Sequence, residues 1–293
     1  MEARISGTTT MLGLIGNPVG HSGSPAIYNY AFAKLGIDYA YLAFQIDIDR
    51  VGDAMAAMRT FQMRGCNVTY PCKIEVMQYM DVLSPAAEMI GAVNTIVNED
   101  GKLHGYNTDG EGLVMDLHDH GIDIKGKSVM ICGGGGAATS IQVQCALDGA
   151  RELYFFNRPG KSFERAKAIA EEIQKKVKDV QIHLCDITDE EALRDAMQTV
   201  DILINATSVG MKPMDDQSII THPEYFRPDM VVYDVVYNPV ETRLLREAKA
   251  AGCRVLGGKG MLLWQAARAF LLYTGQEMPV EAVKAYCFGE ETK

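Results

Sequence analysis

One lysine and one aspartate stand in polar stretches that could carry proton transfer. Lys73 closes the run G-C-N-V-T-Y-P-C-K, and Asp109 lies in Y-N-T-D-G-E-G. If Pro71 opens a helix, Lys73 falls in its first turn, where the dipole disfavours a cation and favours an amine that exchanges protons near neutral pH. On position alone, an exposed lysine tolerated at small cost is the more common outcome. Asp109 could cap the helix that follows it, or orient the Lys73 ammonium.

Further polar residues could recognise the carboxylate and hydroxyl groups of a small ligand. Ser22 and Ser24, in G-H-S-G-S-P, form a pair of hydroxyls that suits a carboxylate, although Ser24 before Pro25 is also an ordinary helix cap. Tyr237, in D-V-V-Y-N-P, is predicted at a strand end, where the ligand-facing residues of a parallel sheet collect. Three more residues beside apolar strands or within an apolar helix could be satisfied core groups or hydroxyl-binding groups: Thr69, Asn94 and Gln265.

A glycine-rich run, V-M-I-C-G-G-G-G-A-A, occupies residues 129–138. An apolar strand pattern precedes the glycines and a helical stretch, 137–147, follows them, which is the context of a dinucleotide-binding turn. Gly133, Gly135 and Ala138 match the G-x-G-x-x-G/A spacing, in which the backbone approaches a pyrophosphate and the helix start offers its N–H groups. A plain loop is the alternative, but the order of strand, turn and helix favours the dinucleotide site.

The second strand of this unit, 152–156, ends in N-R-P-G-K (157–161). An acidic residue about twenty residues after the first glycine would hold the ribose hydroxyl of NAD, and this run contains none. Arg158, together with Lys161, could meet the 2′-phosphate of NADP, because a guanidinium pairs well with phosphate oxygens. A solvated turn residue is an equally good interpretation of Arg158. The choice between NADP and NAD therefore stays open.

Length and composition fit a globular protein with two domains. The 293 residues suffice for two cores, and 47% hydrophobic with 23% charged residues is ordinary. A net charge of −10 argues against a nucleic-acid partner or an anionic membrane, since both need basic patches. Seven scattered cysteines without a C-x-x-C pair favour neither disulfides nor a metal site, and indicate a reduced, cytoplasmic protein. No stretch reads as a signal peptide or membrane span. We expect a monomer or homodimer.

Strand and helix patterns alternate along the chain, which predicts an α/β fold in two lobes with a parallel sheet in each. A helix is expected to open at Pro71, and a hairpin is expected around Glu99-Asp100-Gly101. The predicted strands are 12–16, 39–46, 65–69, 92–98, 102–106, 129–132, 152–156, 181–184, 201–204, 231–235 and 254–256. The other predicted helices are 25–36, 51–61, 111–120, 137–147, 161–176, 189–197, 241–251, 261–273 and 280–286.

Several motifs, taken together, resemble those of the shikimate dehydrogenase family along nearly the whole chain. They are G-N-P-V-G-H-S-G-S-P (16–25), G-C-N-V-T-Y-P-C-K (65–73), G-A-V-N-T-I (91–96), Y-N-T-D-G-E-G (106–112), G-G-G-G-A-A (133–138), N-A-T-S-V-G-M (205–211), Y-N-P-V-E-T (237–242) and G-K-G-M-L-L-W-Q (258–265). Ordered motifs at family-like spacing are more specific than any one alone, and they favour the functional interpretation of Lys73. The run N-A-T-S-V-G-M-K-P and the long C-terminal stretch look closer to the quinate/shikimate branch.

The resemblance implies a substrate-binding domain, 1–112 plus 262–293, and a Rossmann-like nicotinamide dinucleotide-binding domain, 113–261. Lys73 and Asp109 resemble the family's catalytic pair, with Lys73 relaying the hydroxyl proton during reversible hydride transfer between shikimate and nicotinamide. The implied substrate-binding residues are Ser22, Ser24, Thr69, Asn94, Tyr237 and Gln265. The implied cofactor-binding residues are Gly133, Gly134, Gly135, Gly136, Ala137, Asn157, Arg158, Thr207, Ser208, Val209, Met211, Val235 and Gly260.

Departures from the family pattern bear on cofactor and substrate. Gly160 stands where the quinate-using bacterial branch has an Asp that selects NAD, and N-R-P-G-K replaces the N-R-T run of the NADP-using biosynthetic branch. Thr69 matches the shikimate-binding pattern better than the Ser of the dual-specificity branch. The resemblance thus implies an NAD(P)-dependent dehydrogenase for a small anionic cyclic polyol acid, shikimate first and quinate as a second candidate. The alternatives are a dehydrogenase for an amino-substituted shikimate and a catalytically silent nucleotide sensor.

Overall fold

The chain folds into two units, which we describe from a computed structural model covering residues 5–289. The first unit comprises residues 5–108 and 263–289, and the second comprises Asp109–Leu262. Each unit contains a six-stranded sheet. Over residues 5–289, no helix has both the length and the apolar character needed to cross a membrane.

Strands and helices alternate through most of the described chain. The strands are β1 (Thr10–Gly16), β2 (Tyr39–Gln45), β3 (Gly65–Val68), β4 (Val82–Leu83), β5 (Thr95–Glu99), β6 (Lys102–Tyr106), β7 (Ser128–Cys132), β8 (Glu152–Asn157), β9 (Gln181–Asp186), β10 (Ile202–Asn205), β11 (Val231–Asp234) and β12 (Arg254–Gly257). The α-helices are α1 (Ser24–Leu35), α2 (Val51–Thr60), α3 (Pro85–Ile90), α4 (Asp109–Asp119), α5 (Gly136–Leu147), α6 (Lys161–Lys176), α7 (Glu190–Met197), α8 (Arg243–Ala250), α9 (Lys259–Thr274) and α10 (Val280–Phe288).

The sheet of the first unit is mixed, with the strand order β2-β1-β3-β5-β6-β4. β1 runs parallel to β2 and β3, and β4 runs parallel to β6, whereas β5 is antiparallel to both β3 and β6. The predicted hairpin is confirmed: Asp100 and Gly101 connect β5 to β6, and both have positive φ angles. A two-residue turn can join only antiparallel strands, because a parallel pair needs a long crossover. The alternation of strands and helices had predicted a parallel sheet in this unit. That prediction is wrong for the first sheet, which is mixed.

The prediction that a helix begins at Pro71 is wrong. Residues 70–74 form a turn, and only a short 3-10 helix, Glu75–Tyr79, follows it. The carbonyl oxygen of Lys73 accepts a hydrogen bond from the N–H of Val93 at 2.8 Å, so a distant part of the chain takes the place of an intrahelical donor. Lys73 thus does not lie in the first turn of an α-helix, and the dipole argument for its reactivity does not apply.

The sheet of the second unit is wholly parallel, with the strand order β12-β11-β10-β7-β8-β9. This order is that of a dinucleotide-binding Rossmann fold, and the direction of winding reverses between β7 and β10. In the register of these strands, Asn205 pairs with Cys132 on one side and with Asp234 on the other. The carboxyl ends of β7, β10 and β11 therefore lie at one edge of the sheet, beside the point of reversal.

Gly65, the first residue of β3, allows Tyr273 of α9 to pack against the first sheet. A Cβ atom at Gly65 would lie 2.3 Å from Cε1 of Tyr273 and 2.8 Å from the carbonyl oxygen of Ile96. All three residues are buried. We expect Gly65→Ala to lower the free energy of unfolding by about 1–3 kcal/mol, the usual cost of overpacking a core.

Chemical denaturation of Gly65→Ala beside Gly7→Ala tests this expectation. An added Cβ at Gly7 meets no atom of residues 5–289 within 4 Å, so this control should keep the stability of the wild type. Equal unfolding free energies for the two variants would show that Tyr273 can move away at no cost.

Candidate functional site

Two neighbouring parallel strands of the first unit end side by side, and β5 begins at the same edge. Thr69 directly follows β3, and its N–H donates a hydrogen bond to the carbonyl of Ile15 in β1 at 2.9 Å. Asn94 directly precedes β5, and its carbonyl accepts a hydrogen bond from the N–H of Val68 at 2.8 Å. Backbone pairing thus brings Thr69 and Asn94 together at the carboxyl edge of β1 and β3.

Lys73 belongs to the same edge because its carbonyl is bonded to Val93, the residue before Asn94. Its side chain is half-buried. The amide of Asn94 is only 3% exposed and has a fixed orientation. Its Oδ1 accepts a hydrogen bond from the N–H of Thr108 at 2.9 Å, and its Nδ2 donates to the hydroxyl of Thr108 at 3.1 Å. Thr108 therefore fixes the side chain of Asn94. The backbone hydrogen bond between Lys73 and Val93 brings Lys73 close to Asn94.

Ser22 and Ser24 place two hydroxyls next to each other at the start of α1. The hydroxyl of Ser22 donates to that of Ser24 at 3.2 Å, and the N–H of Ser24 donates to the Ser22 hydroxyl at the same distance. The cap position is occupied by Gly23, and no side chain of the described residues caps this helix. The interpretation of Ser24 as an ordinary cap is therefore wrong. Both half-buried hydroxyls can serve as donors to a carboxylate.

Gln265 lies in α9, in the part of that helix that belongs to the first unit. The end of α9 lies at the amino end of β3, where Nε of Arg64 donates to the carbonyl of Tyr273 at 2.8 Å. Burial raises the pKa of Tyr106, at the end of β6, and the positive charge of Arg268 opposes this increase. Gln265 is one turn earlier and about 12 Å from Tyr273 along the helix axis, which is close to the length of β3.

The glycine-rich turn of the second unit forms an open cradle. β7 ends at Cys132, the turn contains three of the four predicted glycines, and the fourth, Gly136, begins α5, with Ala137 half-buried behind it. Gly135 caps α5 without a side-chain hydrogen bond from any described residue, so the first N–H groups of the helix can bind an anion. A Cβ at Gly135 would meet no atom of the described chain within 4 Å, whereas one at Gly134 would lie 2.5 Å from the hydroxyl of Ser162.

Asn157 ends β8 beside this turn, with a side chain only 3% exposed. Its Oδ1 accepts a hydrogen bond from the hydroxyl of Ser162 at 2.8 Å, while its Nδ2 has no partner among residues 5–289. A buried amide donor without a partner is costly, which fits a group kept for a ligand. Arg158 follows it and is exposed. Ser162 was not predicted; its signal was a hydroxyl in the first turn of a helix directly after N-R-P-G-K.

Five more cofactor candidates lie on the loops after β10 and β11. Thr207, Val209 and Val235 are half-buried, and Ser208 and Met211 are exposed. A Cβ at Gly133 would lie 2.7 Å from the carbonyl oxygen of Ala206, so the loop after β10 adjoins the glycine turn. These groups fit a dinucleotide. The glycine turn leaves open backbone for a pyrophosphate, the unpaired amide of Asn157 lies beside it, and the adjoining loop offers polar and apolar side chains.

Asp234, the last residue of β11, holds the base of both loops. Its Oδ1 accepts hydrogen bonds from Nδ2 of Asn205 at 2.9 Å and from the N–H of Val236 at 3.0 Å, and its Oδ2 accepts one from the hydroxyl of Thr242 at 2.7 Å. None of these residues was predicted at the site. Asn205 and Asp234 could have been found in the sequence as polar residues that end apolar strands, in I-L-I-N and V-V-Y-D.

Burial raises the pKa of Asp234 to about 6, although the hydrogen bonds from Thr242, Val236 and Asn205 oppose the shift. The folded state therefore binds this proton more tightly than the unfolded chain does. The contribution of the group to stability is greatest below about pH 4, the usual carboxyl range, and is lost as the pH rises through 6. At neutral pH the fold thus keeps a buried carboxylate at a cost in stability.

Gly260, another cofactor candidate, lies in the first turn of α9 against a buried aspartate. A Cβ at Gly260 would lie 2.0 Å from Oδ2 of Asp116, which accepts a hydrogen bond from the hydroxyl of Tyr233 at 2.7 Å. The same hydroxyl accepts one from the N–H of Met261 at 3.0 Å. Packing against Asp116 is thus sufficient reason for glycine here. In the described part of the chain, no group of three or more His, Cys, Asp or Glu side chains could hold a metal ion.

The remaining predicted residues belong to the second unit. Asp109 is the first residue of α4 and is half-buried. Tyr237 follows β11 and is 54% exposed. Tyr237 therefore stands at the carboxyl edge of its own sheet, as its position in D-V-V-Y-N-P predicts.

Three family models match the chain. Residues 14–96 match the shikimate dehydrogenase substrate binding domain, residues 126–207 match the KR domain, and residues 258–285 match the shikimate 5'-dehydrogenase C-terminal domain. A shikimate dehydrogenase (NADP(+)) of Streptococcus uberis is 46% identical, and the alignment covers 100% of both chains.

Solved structures give the same result. The crystal structure of shikimate 5-dehydrogenase from Listeria monocytogenes in complex with shikimate and NAD has a TM-score of 0.95 and 46% identity, covering 98% of this chain and 99% of that one. Quinate dehydrogenase from Corynebacterium glutamicum in complex with NAD has a TM-score of 0.83 and 28% identity, covering 96% and 99%.

The glycine turn gives a direct test of cofactor binding. Because space is open above Gly135, we expect Gly135→Ala to keep the wild-type stability but to weaken binding of the dinucleotide about tenfold, through overpacking against the ligand. Gly134→Ala should lower stability as well, since its Cβ would collide with Ser162. Thermal melting and calorimetric titration with NADP and NAD measure both quantities. An unchanged dissociation constant for Gly135→Ala would exclude this turn as the phosphate cradle.

Proposed function

Because the chain belongs to the shikimate dehydrogenase family, we propose that it is an oxidoreductase that interconverts shikimate and 3-dehydroshikimate with a nicotinamide cofactor. The observation that carries this proposal is full-length similarity to a shikimate dehydrogenase at 46% identity. The geometry supports it, since polar candidates gather at one sheet edge in the first unit and an open glycine turn stands at the winding reversal of the second.

We assign the substrate contacts to the first-unit edge and to Tyr237. The paired hydroxyls of Ser22 and Ser24 bind the carboxylate of the substrate, because two adjacent donors match its two oxygens. The ring hydroxyls are assigned to four residues with hydrogen-bonding side chains, Thr69, Asn94, Asp109 and Gln265, with Tyr237 nearby. This assignment makes an anionic cyclic polyol acid the ligand class, with quinate as a second substrate to be tested.

Lys73 and Asp109 are proposed as the catalytic pair. In the oxidation, the Lys73 amine takes the proton of the hydroxyl that becomes a ketone, and in the reduction it returns the proton. Asp109 is assigned the role of orienting the lysine side chain. The bound nicotinamide dinucleotide supplies the hydride chemistry. Around it, the protein contributes the glycine turn, the amide of Asn157, and the loops after β10 and β11.

Compartment and assembly remain predictions. A cytoplasmic location is supported by cysteines that are all free in the described chain. A monomer or homodimer without a nucleic-acid partner is consistent with the net charge of −10.

The assignment of Lys73 is tested by initial rates on a grid of shikimate or quinate with NADP or NAD. We expect turnover in at least one shikimate reaction, and we expect Lys73→Ala to lower kcat about 100-fold or more, the range of a lost proton-transfer group. Lys34→Ala, which removes an exposed lysine at the end of α1, is the matched control and should keep the wild-type rate. Folded protein without turnover in any reaction would contradict the proposal and favour the amino-shikimate or sensor alternatives.

Arg158 decides the preference between NADP and NAD. We propose that NADP is preferred, because Arg158 is exposed directly after β8 and α6 begins nearby with Lys161 rather than an acidic residue. Arg158→Ala should raise the KM for NADP about tenfold or more, the effect of a lost charge-assisted hydrogen bond, and should leave the KM for NAD within about twofold.

Arg151→Ala is the matched control for Arg158, since it removes an exposed arginine from the opposite end of the same strand. Equal effects of Arg158→Ala on NADP and NAD would show that Arg158 does not read the 2′-phosphate.

A further inference from the structure

Two loops of the second unit carry five of the cofactor candidates. The β10 loop (206–211) contains Thr207, Ser208, Val209 and Met211, and the β11 loop (235–242) contains Val235. Loop segments are mobile unless the scaffold fixes them, and a binding site loses affinity when its groups must be ordered by the ligand. The structure therefore has to supply an anchor for each loop.

Asn205 anchors the β10 loop with the full hydrogen-bonding capacity of its amide. Its Oδ1 accepts from the N–H of Thr207 at 3.1 Å and from the hydroxyl of Thr207 at 2.7 Å. Its Nδ2 donates to the carbonyl of Val209 at 3.0 Å and to Oδ1 of Asp234 at 2.9 Å. The Thr207 hydroxyl in turn accepts from the N–H of Val209 at 3.1 Å. One buried amide thus fixes the first half of the loop.

Asp234 joins this anchor to the β11 loop. Besides Asn205, it binds the N–H of Val236 near the start of the loop and the hydroxyl of Thr242 at its end. Thr242 also caps α8 by accepting a hydrogen bond from the N–H of Leu245 at 3.3 Å. The two loops therefore share one hydrogen-bond network whose centre is the contact between Asn205 and Asp234.

Neither central side chain can touch a ligand directly. Asn205 is 1% exposed and Asp234 is 0% exposed, and their polar atoms are occupied by the bonds described above. Any effect they have on binding must therefore pass through the loops. The charged Asp234 also costs stability at neutral pH, which a role limited to stability does not explain.

We propose that Asn205 and Asp234 are positioning residues, which set the affinity for the nicotinamide cofactor by holding the β10 and β11 loops in their binding conformation. The inference rests on the proposed function only in requiring that a nicotinamide cofactor binds at this edge of the second unit. It makes the network a determinant of cofactor affinity that acts only through the two loops.

The test compares Asn205→Ala, Asp234→Asn, Thr242→Val and Thr242→Ser with the wild type. Valine keeps the shape of threonine but removes the hydroxyl bond to Asp234, while serine keeps that bond. Asn98→Ala is the control for loss of a buried amide, because Asn98 donates to the carbonyl of Met63 at 2.9 Å and accepts from the N–H of Gly101 at 2.8 Å, in the first unit. Calorimetry with NADP and NAD gives the dissociation constants without requiring turnover.

We expect Asn205→Ala, Asp234→Asn and Thr242→Val to weaken cofactor binding about tenfold, the scale of one lost buried hydrogen bond, with Thr242→Ser within about twofold of the wild type. In cofactor-free protein, the amide hydrogens of Thr207 and Val209 should exchange faster in Asn205→Ala, and those of α6 should not. Asn98→Ala should lower stability and leave the cofactor dissociation constants unchanged.

A cofactor dissociation constant unchanged in Asn205→Ala, or weakened equally in Asn98→Ala, would overturn the inference. Failure of the proposed function gives a different pattern. If the wild-type protein binds the cofactor but does not oxidise shikimate, the proposed function is excluded. The binding and exchange measurements can still decide the role of the network.

Discussion

Parallel pairing of backbone strands is the constraint on which the candidate sites depend. A parallel neighbour presents its carboxyl end at the same edge, so residues far apart in the sequence become adjacent without any side-chain contact. In the first unit, β1 and β3 bring the segment after Ile15 beside Thr69. In the second unit, β7, β10 and β11 align Cys132, Asn205 and Asp234 in one register. In each unit, this alignment places part of the functional candidates at one edge of the sheet.

The fold was predictable wherever local pattern and tertiary context agree. The amphipathic pattern of α6 gave its bounds, and Asp100-Gly101 gave the β5–β6 hairpin, because both signals are local. Pro71 was misleading because a distant donor, the N–H of Val93, holds the carbonyl of Lys73. The short helix α3 was missed although Ser84 caps it, since six residues contain too little periodicity to show in a sequence.

The site was predictable to a different degree. Hydroxyls, amides and a lysine in polar runs can be found from residue type, but their roles came from resemblance, and physical reasoning alone left the ordinary interpretations of Lys73 and Ser24 standing. The structure removes one of these, because Gly23 and not Ser24 occupies the cap position of α1. Asn205 and Asp234 were missed because each closes an apolar strand, where a sequence pattern shows a boundary and hides the partner across the sheet.

In the proposed assignment, the residues that contact the cofactor differ from the residues that hold the loops, and this division has a consequence for cofactor specificity. Arg158, Ser208 and Met211 are exposed, so exchanging them changes what the edge recognises at little cost to packing. Asn205 and Asp234 are buried and fully bonded, so exchanging them disturbs both loops at once. A scaffold of this kind can change between NADP and NAD through its exposed residues alone.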